Sequence, residues 1–304
     1  MIEFDAAADN KSGLTDRAHG CLVGGLIGDA MGTPSEGLEP EEIERRFGWI
    51  EDFEGDGTDD SIMKYLLADA LVASDGNADA DAWAVEWLRR RGSVGGDKAD
   101  RFFASVLHAA AKLRYGVLPR RVAAGHMPSS TAAMSIAPVG IVNAGHPRAA
   151  AAQAQEIASL VHGDETGFCQ DGAVAIAACV ATAMAPDASL ERVIAAATAQ
   201  IKPWSGRETV PASIALVRLA GGDLPRTLCY AANFGRDTDT IACMAGSIAG
   251  ALAGASGIPA AWLAKAARNA SRDQQALART LVDVARRKAA RETAAWRLLA
   301  ESPG

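Results

Sequence analysis

Two short polar segments of this sequence carry residue types that could bind a metal ion. The first acidic segment is Thr58–Ser61 (TDDS), and the second acidic segment is Asp237–Thr240 (DTDT). Each runs directly into apolar residues that recur with the period of a helix. Carboxylates beside a buried helix are costly unless something compensates their charge. We therefore expect the two segments to meet in the fold and to share a bound cation.

The donor types indicate which cation this would be. The two segments offer carboxylates and hydroxyls, with no histidine or cysteine among them. That donor set suits Mg²⁺, or Mn²⁺, and does not suit Zn²⁺. Several carboxylates that share a site usually hold two ions about 4 Å apart. Glu36, in a loop rich in glycine upstream of both segments, is a further acid that could join them.

Each segment taken alone has a simpler explanation. Thr58 followed by two aspartates, or Asp237 followed by Thr240, is typical of a capped helix N-terminus, where the helix dipole stabilises acids without any metal. Two matching segments in one chain, the second leading into a long apolar helix, favour the metal site over capping.

The composition predicts an all-α fold. Of the 304 residues, 49 % are hydrophobic and only 5 % are aromatic, because alanine dominates. Alanine is the best helix former and a poor strand former. The apolar residues keep a helical period throughout, and no repeat of solenoid length occurs. We expect residues 14–304 to form a single globular domain of many orthogonally packed helices, after a disordered tail over residues 1–13.

Charge and cysteine content narrow the classes of function. A net charge of −7 argues against a general nucleic-acid-binding surface and against an anionic-membrane surface. The five cysteines are odd in number and form no C-x-x-C pair, which favours a reduced, cytoplasmic protein over a disulfide scaffold. The N-terminal residues lack the apolar stretch of a signal peptide. The oligomeric state is left open by the sequence.

One apolar stretch has a membrane alternative. Residues 241–264 include no charged residue, and Gly246, Gly250 and Gly254 have the spacing found in paired membrane helices. Pro259 interrupts the stretch, and two aspartates abut its start. We therefore expect a buried helix whose glycines let a neighbouring helix approach closely.

Local signals place other elements. A glycine-rich helix is expected over Thr15–Met31, ending in the loop GDAMGTPSEG, which contains Asp29. Pro138 should bend or restart a helix, and Asp171 should cap the helix that follows it. The basic residues 286–288 are expected on a solvated face of the C-terminal helix.

The chain contains five stretches that together resemble one known family: GCLVGGLIGDAMGTPSEG, DGTDDSIM, SSTAAMSIAPVGI, VHGDETGFCQDGAVAIAA and GRDTDTIACMAGSIAGALAG. They occur in the order and approximate spacing of the ADP-ribosylglycohydrolase superfamily, which includes the dinitrogenase-reductase-activating glycohydrolases. The resemblance covers about Gly20 to Trp262. It implies an all-α fold, a binuclear Mg²⁺ centre and hydrolysis of an N- or O-glycosidic bond to ADP-ribose.

The resemblance also implies roles for residues at matching positions. The implied metal ligands are Thr58, Asp59, Asp60, Asp237, Asp239 and Thr240. Glu36 matches a glutamate that approaches the metals and the scissile ribose. The loop that holds the diphosphate or the distal ribose is matched by Ser129, Ser130 and Thr131. His162 matches a histidine that lines the substrate cleft.

Two residues of the implied site region have alternative explanations that rest on the sequence alone. His162 could instead be a cation at the C-terminus of a helix. Arg236, next to the second acidic segment, could contact a phosphate or pair with an aspartate, and the sequence does not separate these.

The reaction that the resemblance implies is the hydrolysis of a glycosidic bond to ribose. Cleavage of a ribosyl bond passes through an oxocarbenium-like state. Two Mg²⁺ ions on the ribose hydroxyls would orient the sugar and activate a water molecule. Asp60 or Glu36 could then exchange a proton with that water or with the leaving group. We favour Glu36 as the proton-transfer residue and keep the aspartates as ligands.

The chain departs from the family in its third stretch. Many members have Asn-Gly-x-x-Met-Arg where this sequence has Ser130–Ser135 (STAAMS), which weakens the case for the usual adenine-side and diphosphate contacts. The first hypothesis is an Mg²⁺-dependent glycohydrolase acting on an ADP-ribosylated protein. The second is a hydrolase of a small N-ribosyl metabolite, such as a free nucleotide or nucleoside. The third, a non-catalytic binding or structural protein, is disfavoured because every ligand position keeps a competent side chain.

Overall fold

The computed structural model describes residues 13–90, 94, 102–163, 167–199 and 208–301. Within these ranges the chain forms sixteen α-helices and no β-strand, apart from one isolated bridge between Leu38 and Arg236. The prediction of an all-α fold is confirmed. The tail predicted over residues 1–13 lies, but for residue 13, outside the described residues.

The first eight helices span Leu14–Gly32 (α1), Pro40–Phe47 (α2), Asp59–Ala73 (α3), Ala80–Arg89 (α4), Ala104–Arg114 (α5), Pro119–Val122 (α6), Thr131–Ser135 (α7) and Ala137–Val142 (α8). The other eight span Pro147–Ala158 (α9), Phe168–Ala183 (α10), Leu190–Thr198 (α11), Thr209–Leu219 (α12), Leu224–Ala232 (α13), Thr238–Ala253 (α14), Ala260–Asn269 (α15) and Gln274–Glu301 (α16). None of the described helices combines the length and the apolarity needed to cross a bilayer.

The helices α1 and α14 form the centre of the fold. They share the most extensive contact between any two described elements, and α13, α16 and α10 pack around them. Both helices are buried over nearly their whole length. Their apolar residues point in all directions, as expected of a helix that is surrounded by others.

Glycines explain how α1 and α14 come so close. A side chain added at Gly20, Gly24 or Gly28 would overlap the backbone of α14, and one added at Gly246 or Gly250 would overlap the backbone of α1. Gly20 faces Gly250 while Gly24 faces Gly246, so the two helices run antiparallel. We call this contact the glycine seam. It places the C-terminal end of α1 beside the N-terminal end of α14.

Several helix boundaries differ from the sequence-based expectation. The helix α1 continues to Gly32, so Asp29 lies within a buried helix and not in a loop. The helix α10 begins after Gly167, whose positive φ of 69° ends the preceding loop, so Asp171 lies within the first turn and does not cap it. The break at Pro138 is confirmed, because α7 ends at Ser135 and α8 begins at Ala137.

The C-terminal helix is attached to the body by more than an apolar stripe. Arg287 and Arg291 pair with Asp75. Lys288 is only 8 % exposed and donates to the amide oxygens of Asn143 and Gln153. The prediction of a solvated basic face is therefore wrong for Lys288, whose charged end reaches acceptors beneath the helix.

Substitution of a seam glycine tests how much the fold depends on this contact. A Cβ at Gly24 would overlap the carbonyl oxygen of Gly246, and overpacking of a well-packed core costs about 1–3 kcal/mol. We expect Gly24→Ala to lower the free energy of unfolding by about that amount, as measured by urea denaturation.

The matched control is Gly172→Ala in α10, where the nearest atom to an added Cβ is a methyl of Val210 at 3.1 Å. Alanine also gains about 1 kcal/mol of helix propensity over glycine. We expect little loss of stability in this variant, and equal losses at both positions would contradict the role of the seam.

Candidate metal and active site

The structure brings the two acidic segments together at the C-terminal end of α1. Thr58 Oγ1 lies 3.4 Å from Asp239 Oδ2, and Thr240 Oγ1 lies 3.4 Å from Asp60 Oδ2. The second pair is 180 positions apart in the chain. The N-terminal ends of α3 and α14 therefore meet, and both helix dipoles direct partial positive charge at the carboxylates.

Asp29 connects α1 to this junction. Its fully buried carboxylate accepts from Thr58 N at 2.9 Å, Thr58 Oγ1 at 2.9 Å, Ser61 N at 3.0 Å and Ser61 Oγ at 2.6 Å. A hydroxyl has one proton. The Thr58 hydroxyl can donate it to Asp29 Oδ1 at 2.9 Å or to Asp239 Oδ2 at 3.4 Å, and Asp29 is the nearer acceptor. Asp29 thus holds the Thr58 hydroxyl beside the cluster.

This role of Asp29 is absent from the sequence-based predictions, which place Asp29 in the loop GDAMGTPSEG and not in the helix that carries it. The usable signal was the spacing of Gly20, Gly24 and Gly28, which marks the closely packed face of α1 and places Asp29 next to it at the end of that face.

Glu36 approaches the cluster from a loop between α1 and α2. Its loop is bound to the chain before the second acidic segment, because Gly37 N donates to Arg236 O at 2.6 Å and Arg236 N donates to Leu38 O at 2.6 Å. Carboxylate oxygens of Glu36, Asp237 and Asp239 lie within 4.8 Å of one another. Glu36 itself is exposed, so it meets the cluster from the solvent side.

Helix capping does not account for these acids. Asp237 precedes α14 but makes no side-chain cap hydrogen bond. Thr58 caps α3 only through a 3.4 Å contact from Asp60 N. Asp60 is 2 % exposed, and its Oδ1 atom is buried without a hydrogen-bond partner among the described residues. An ionised oxygen left in that state is costly, and a cation is the partner that this donor set fits.

The carboxylates raise one another's pKa. Burial, followed by the charge of Asp29, raises the pKa of Asp59 to about 7. Burial, followed by the charge of Glu36, raises the pKa of Asp239 to about 9. The pKa of Asp60 is raised well above its ordinary value, chiefly by burial. Acids crowded in this way favour either protonation or a bound cation.

A cavity of about 510 Å³ opens beside Glu36 and Asp237. Its wall also includes Glu39, Glu208 and Arg236. Arg236 Nη1 pairs with Glu208 Oε2 at 2.7 Å. Among the described residues, Arg236 thus pairs with a glutamate and not with an aspartate of its own segment. Contact of Arg236 with a phosphate stays a prediction. The cavity gives a substrate access to the exposed carboxylate of Glu36.

The hydroxyl residues predicted to bind substrate lie at the start of α7. Ser129 Oγ is 3.1 Å from Thr131 Oγ1, and Ser130 Oγ is 2.9 Å from Thr209 Oγ1. Ser129 and Thr131 are buried, whereas Ser130 is partly exposed. The hydroxyls therefore bond to one another and to α12, and their role toward a substrate stays a prediction.

His162 is also buried, at 2 % exposure. Its Nε2 accepts from Ala132 N at 3.3 Å, so the ring supports the first turn of α7. Its own backbone N donates to Ala158 O at the end of α9. Contact with a substrate at this position stays a prediction as well.

The sequence of this chain is similar to one protein family and to two known proteins of bacteria. The sequence profile named ADP-ribosylglycohydrolase matches residues 10–292. The chain is 30 % identical over 306 residues to the ADP-ribosylarginine hydrolase Tri1 of Pseudomonas putida (strain GB-1), covering 88 % of this chain and 78 % of that protein. It is 28 % identical over 313 residues to the uncharacterized protein YegU of Escherichia coli (strain K12), covering 80 % of this chain and 90 % of that protein.

A solved structure has the same fold. The structure described as an ADP-ribosylglycohydrolase-related protein complex superposes with a TM-score of 0.70 at 22 % identity, covering 90 % of this chain and 99 % of that one. The profile match extends over most of the chain and includes both acidic segments, α1 and Glu36. The chain therefore belongs to the ADP-ribosylglycohydrolase family.

Proposed function

We propose that this chain is an Mg²⁺-dependent hydrolase that cleaves the glycosidic bond between the ribose of an ADP-ribosyl group and its carrier. The observation that carries the proposal is the unpartnered oxygen of Asp60, buried where two helix N-termini and three further carboxylates converge. Family membership supports a glycohydrolase. The choice of Mg²⁺, with Mn²⁺ as a substitute, rests on the oxygen-only donor set.

Six side chains would hold the metal, in a site for two ions. They are the residues expected from the sequence: Thr58, Asp59, Asp60, Asp237, Asp239 and Thr240. The ions, when bound, would supply electrostatic stabilisation and orientation of the ribose hydroxyls. Asp29 supports this set from beneath, because it binds both the backbone N–H and the hydroxyl of Thr58 at 2.9 Å.

Glu36 is the proposed proton-transfer residue. It is the exposed member of the cluster, and it borders the open cavity. Partial desolvation of its carboxylate on the side that faces the cluster, and then the charge of Asp237, raises its pKa above the ordinary value. A carboxylate with a raised pKa can give a proton to a leaving group as well as take one from water. Asp60, by contrast, is enclosed and is better placed to act as a ligand.

A second candidate function has one observation in its favour. The position at which many family members carry arginine is Ser135 here, fully buried, with Oγ donating to Thr131 O at 2.7 Å. A side chain held in that way cannot contact a diphosphate. This is the observation in favour of a small N-ribosyl metabolite, such as a free nucleotide or nucleoside, as the substrate of the same hydrolytic centre.

The two candidates can be separated in one assay of released ribosyl product. ADP-ribosyl-arginine, ADP-ribosyl-serine, a free dinucleotide and simple nucleosides would be compared at saturating Mg²⁺. The Pseudomonas relative, an ADP-ribosylarginine hydrolase, is the reason for the first substrate. Preference for ADP-ribosyl-arginine or ADP-ribosyl-serine supports the proposal, and preference for the free dinucleotide or the nucleosides supports the second candidate.

Asp60→Asn should abolish metal binding and turnover together. The substitution removes the charge of the unpartnered carboxylate while keeping its shape, and we expect more than about a 100-fold loss of turnover on the preferred substrate. Metal content would be measured by elemental analysis. The control is Asp52→Asn, which alters an exposed carboxylate that pairs with Lys265. If Asp60→Asn keeps full activity and full metal content, the proposed site is wrong.

Glu36→Gln should separate chemistry from metal binding. An amide of the same shape cannot transfer the proton, so we expect kcat to fall by about 10²–10⁴-fold. The metal-induced rise in melting temperature should be retained. Loss of both metal binding and turnover would instead make Glu36 a ligand, in keeping with its closeness to Asp237 and Asp239.

The stability of the metal-free protein should fall as the pH rises. The pKa values of Asp59, about 7, and Asp239, about 9, lie above the ordinary aspartate value near 3.9 that an unfolded chain has. Protonation therefore favours the folded state, and this contribution is present at acid pH and is lost as the pH rises through about 7 and about 9.

We expect the melting temperature of chelator-treated protein to decrease from about pH 5 to about pH 9, with saturating Mg²⁺ reversing most of the decrease. Differential scanning calorimetry would measure both series. A metal-free melting temperature that stays level or rises over this interval would show that the acids are not coupled as described.

A further inference from the structure

A second layer of residues lies directly beneath the acidic cluster. Gly25 precedes Asp29 by one turn of α1, Lys64 follows Asp60 by one turn of α3, and Cys243 follows Asp239 by one turn of α14. Residues four apart on a helix share a face, with Cβ atoms about 5–6 Å apart. Three helices thus each contribute a carboxylate to the upper layer and one residue to the lower layer.

Lys64 occupies the centre of the lower layer. Its side chain is 1 % exposed, and its Nζ donates to Cys243 Sγ at 2.9 Å. A Cβ at Gly25 would lie 2.6 Å from that Nζ, so the absence of a side chain on α1 makes the room for the ammonium group. The layer is built around the end of this lysine.

The direct partner of Lys64 does not neutralise its charge. Burial raises the pKa of Cys243 to about 11, so the thiol is neutral. An ammonium group has three protons to donate, and a neutral thiol is a weak acceptor. A buried cation in such surroundings is unfavourable unless negative charge lies nearby. Burial lowers the pKa of Lys64, and the contact with Cys243, followed by the negative charges of Asp29 and Asp60 in the layer above, raises it.

A second buried lysine, Lys288, has different hydrogen-bond partners from Lys64. The side chain of Lys288 is 8 % exposed, and that of Lys64 is 1 % exposed. The Lys288 ammonium group donates to two neutral amide oxygens, of Asn143 and Gln153. Lys288 is therefore satisfied by hydrogen bonds, whereas Lys64 depends on the charge of the carboxylates.

We propose that Lys64 is a fixed internal cation of the acidic cluster, and that it lowers the affinity of the cluster for divalent ions. The inference rests on the proposed function, since it requires that the cluster bind metal. A permanent positive charge one helical turn from the ligands repels an incoming cation and offsets part of the carboxylate charge that attracts it. Lys64 is a positioning charge and contacts neither ion nor substrate.

The variant Lys64→Met tests the proposal, with Lys288→Met as the matched control. Methionine keeps the unbranched shape and removes the charge. The dissociation constant for Mn²⁺ and for Mg²⁺ would be measured by isothermal titration calorimetry on the full chain. The melting temperature would be measured with and without each ion.

We expect Lys64→Met to bind both ions about tenfold more tightly than the wild type, and to show a larger metal-induced rise in melting temperature. Lys288→Met should lower the melting temperature equally with and without metal and leave the dissociation constants unchanged. If Lys64→Met folds only with Mg²⁺ present, that outcome also supports the proposal.

Unchanged affinity in Lys64→Met, with normal binding by the wild type, overturns this inference and leaves the proposed function standing. Absence of metal binding by the wild type overturns both. The neutral variant Lys64→Gln guards against a defect specific to methionine. If neither variant folds at saturating Mg²⁺, the lysine is needed for the fold itself and the inference is wrong.

Discussion

The glycine seam between α1 and α14 is the contact on which the site depends. Because Gly24 and Gly28 carry no side chain, the backbone of α1 lies against that of α14, and Asp29 reaches the start of α3 while Asp239 lies at the start of α14. Larger residues along the seam would move the two helices apart. The oxygen atoms of the two acidic segments would then no longer converge.

That convergence has an electrostatic cost which the rest of the site reduces in different ways. The N-termini of α3 and α14 direct their dipoles at the acids. Asp29 is stabilised by four neutral donors from Thr58 and Ser61, and Lys64 provides a charge from below. None of these reaches Asp60 Oδ1. The arrangement compensates the supporting residues and leaves Asp60 Oδ1 as the uncompensated atom that the proposed cation would bind.

The fold class could be predicted from the sequence, because helical period and residue type are local properties. The pairing of the two acidic segments, which lie about 180 positions apart, was predicted from their matching donor types and from the resemblance to a family. The residues that support the site could not be predicted from the sequence. Asp29 and Lys64 act through contacts between residues far apart in the chain, and a single sequence contains no record of those contacts. The assignment of Asp171 as a cap failed for a related reason: a positive φ at Gly167 started the helix earlier than the polar residue suggested.

The acidic cluster and the segment Ser130–Ser135 differ in how closely they fit the family pattern. The residues of the acidic cluster fit the pattern that the resemblance to the family implies, whereas the segment Ser130–Ser135 departs from it, and in the structure its hydroxyls are used within the protein. The acidic cluster tolerates little change, because the glycine seam holds α1 against the start of α14. The start of α7 lies outside that constraint. Substrate preference can therefore change there while the chemistry is retained, which is why the leaving group has to be determined on this chain and not taken from a relative.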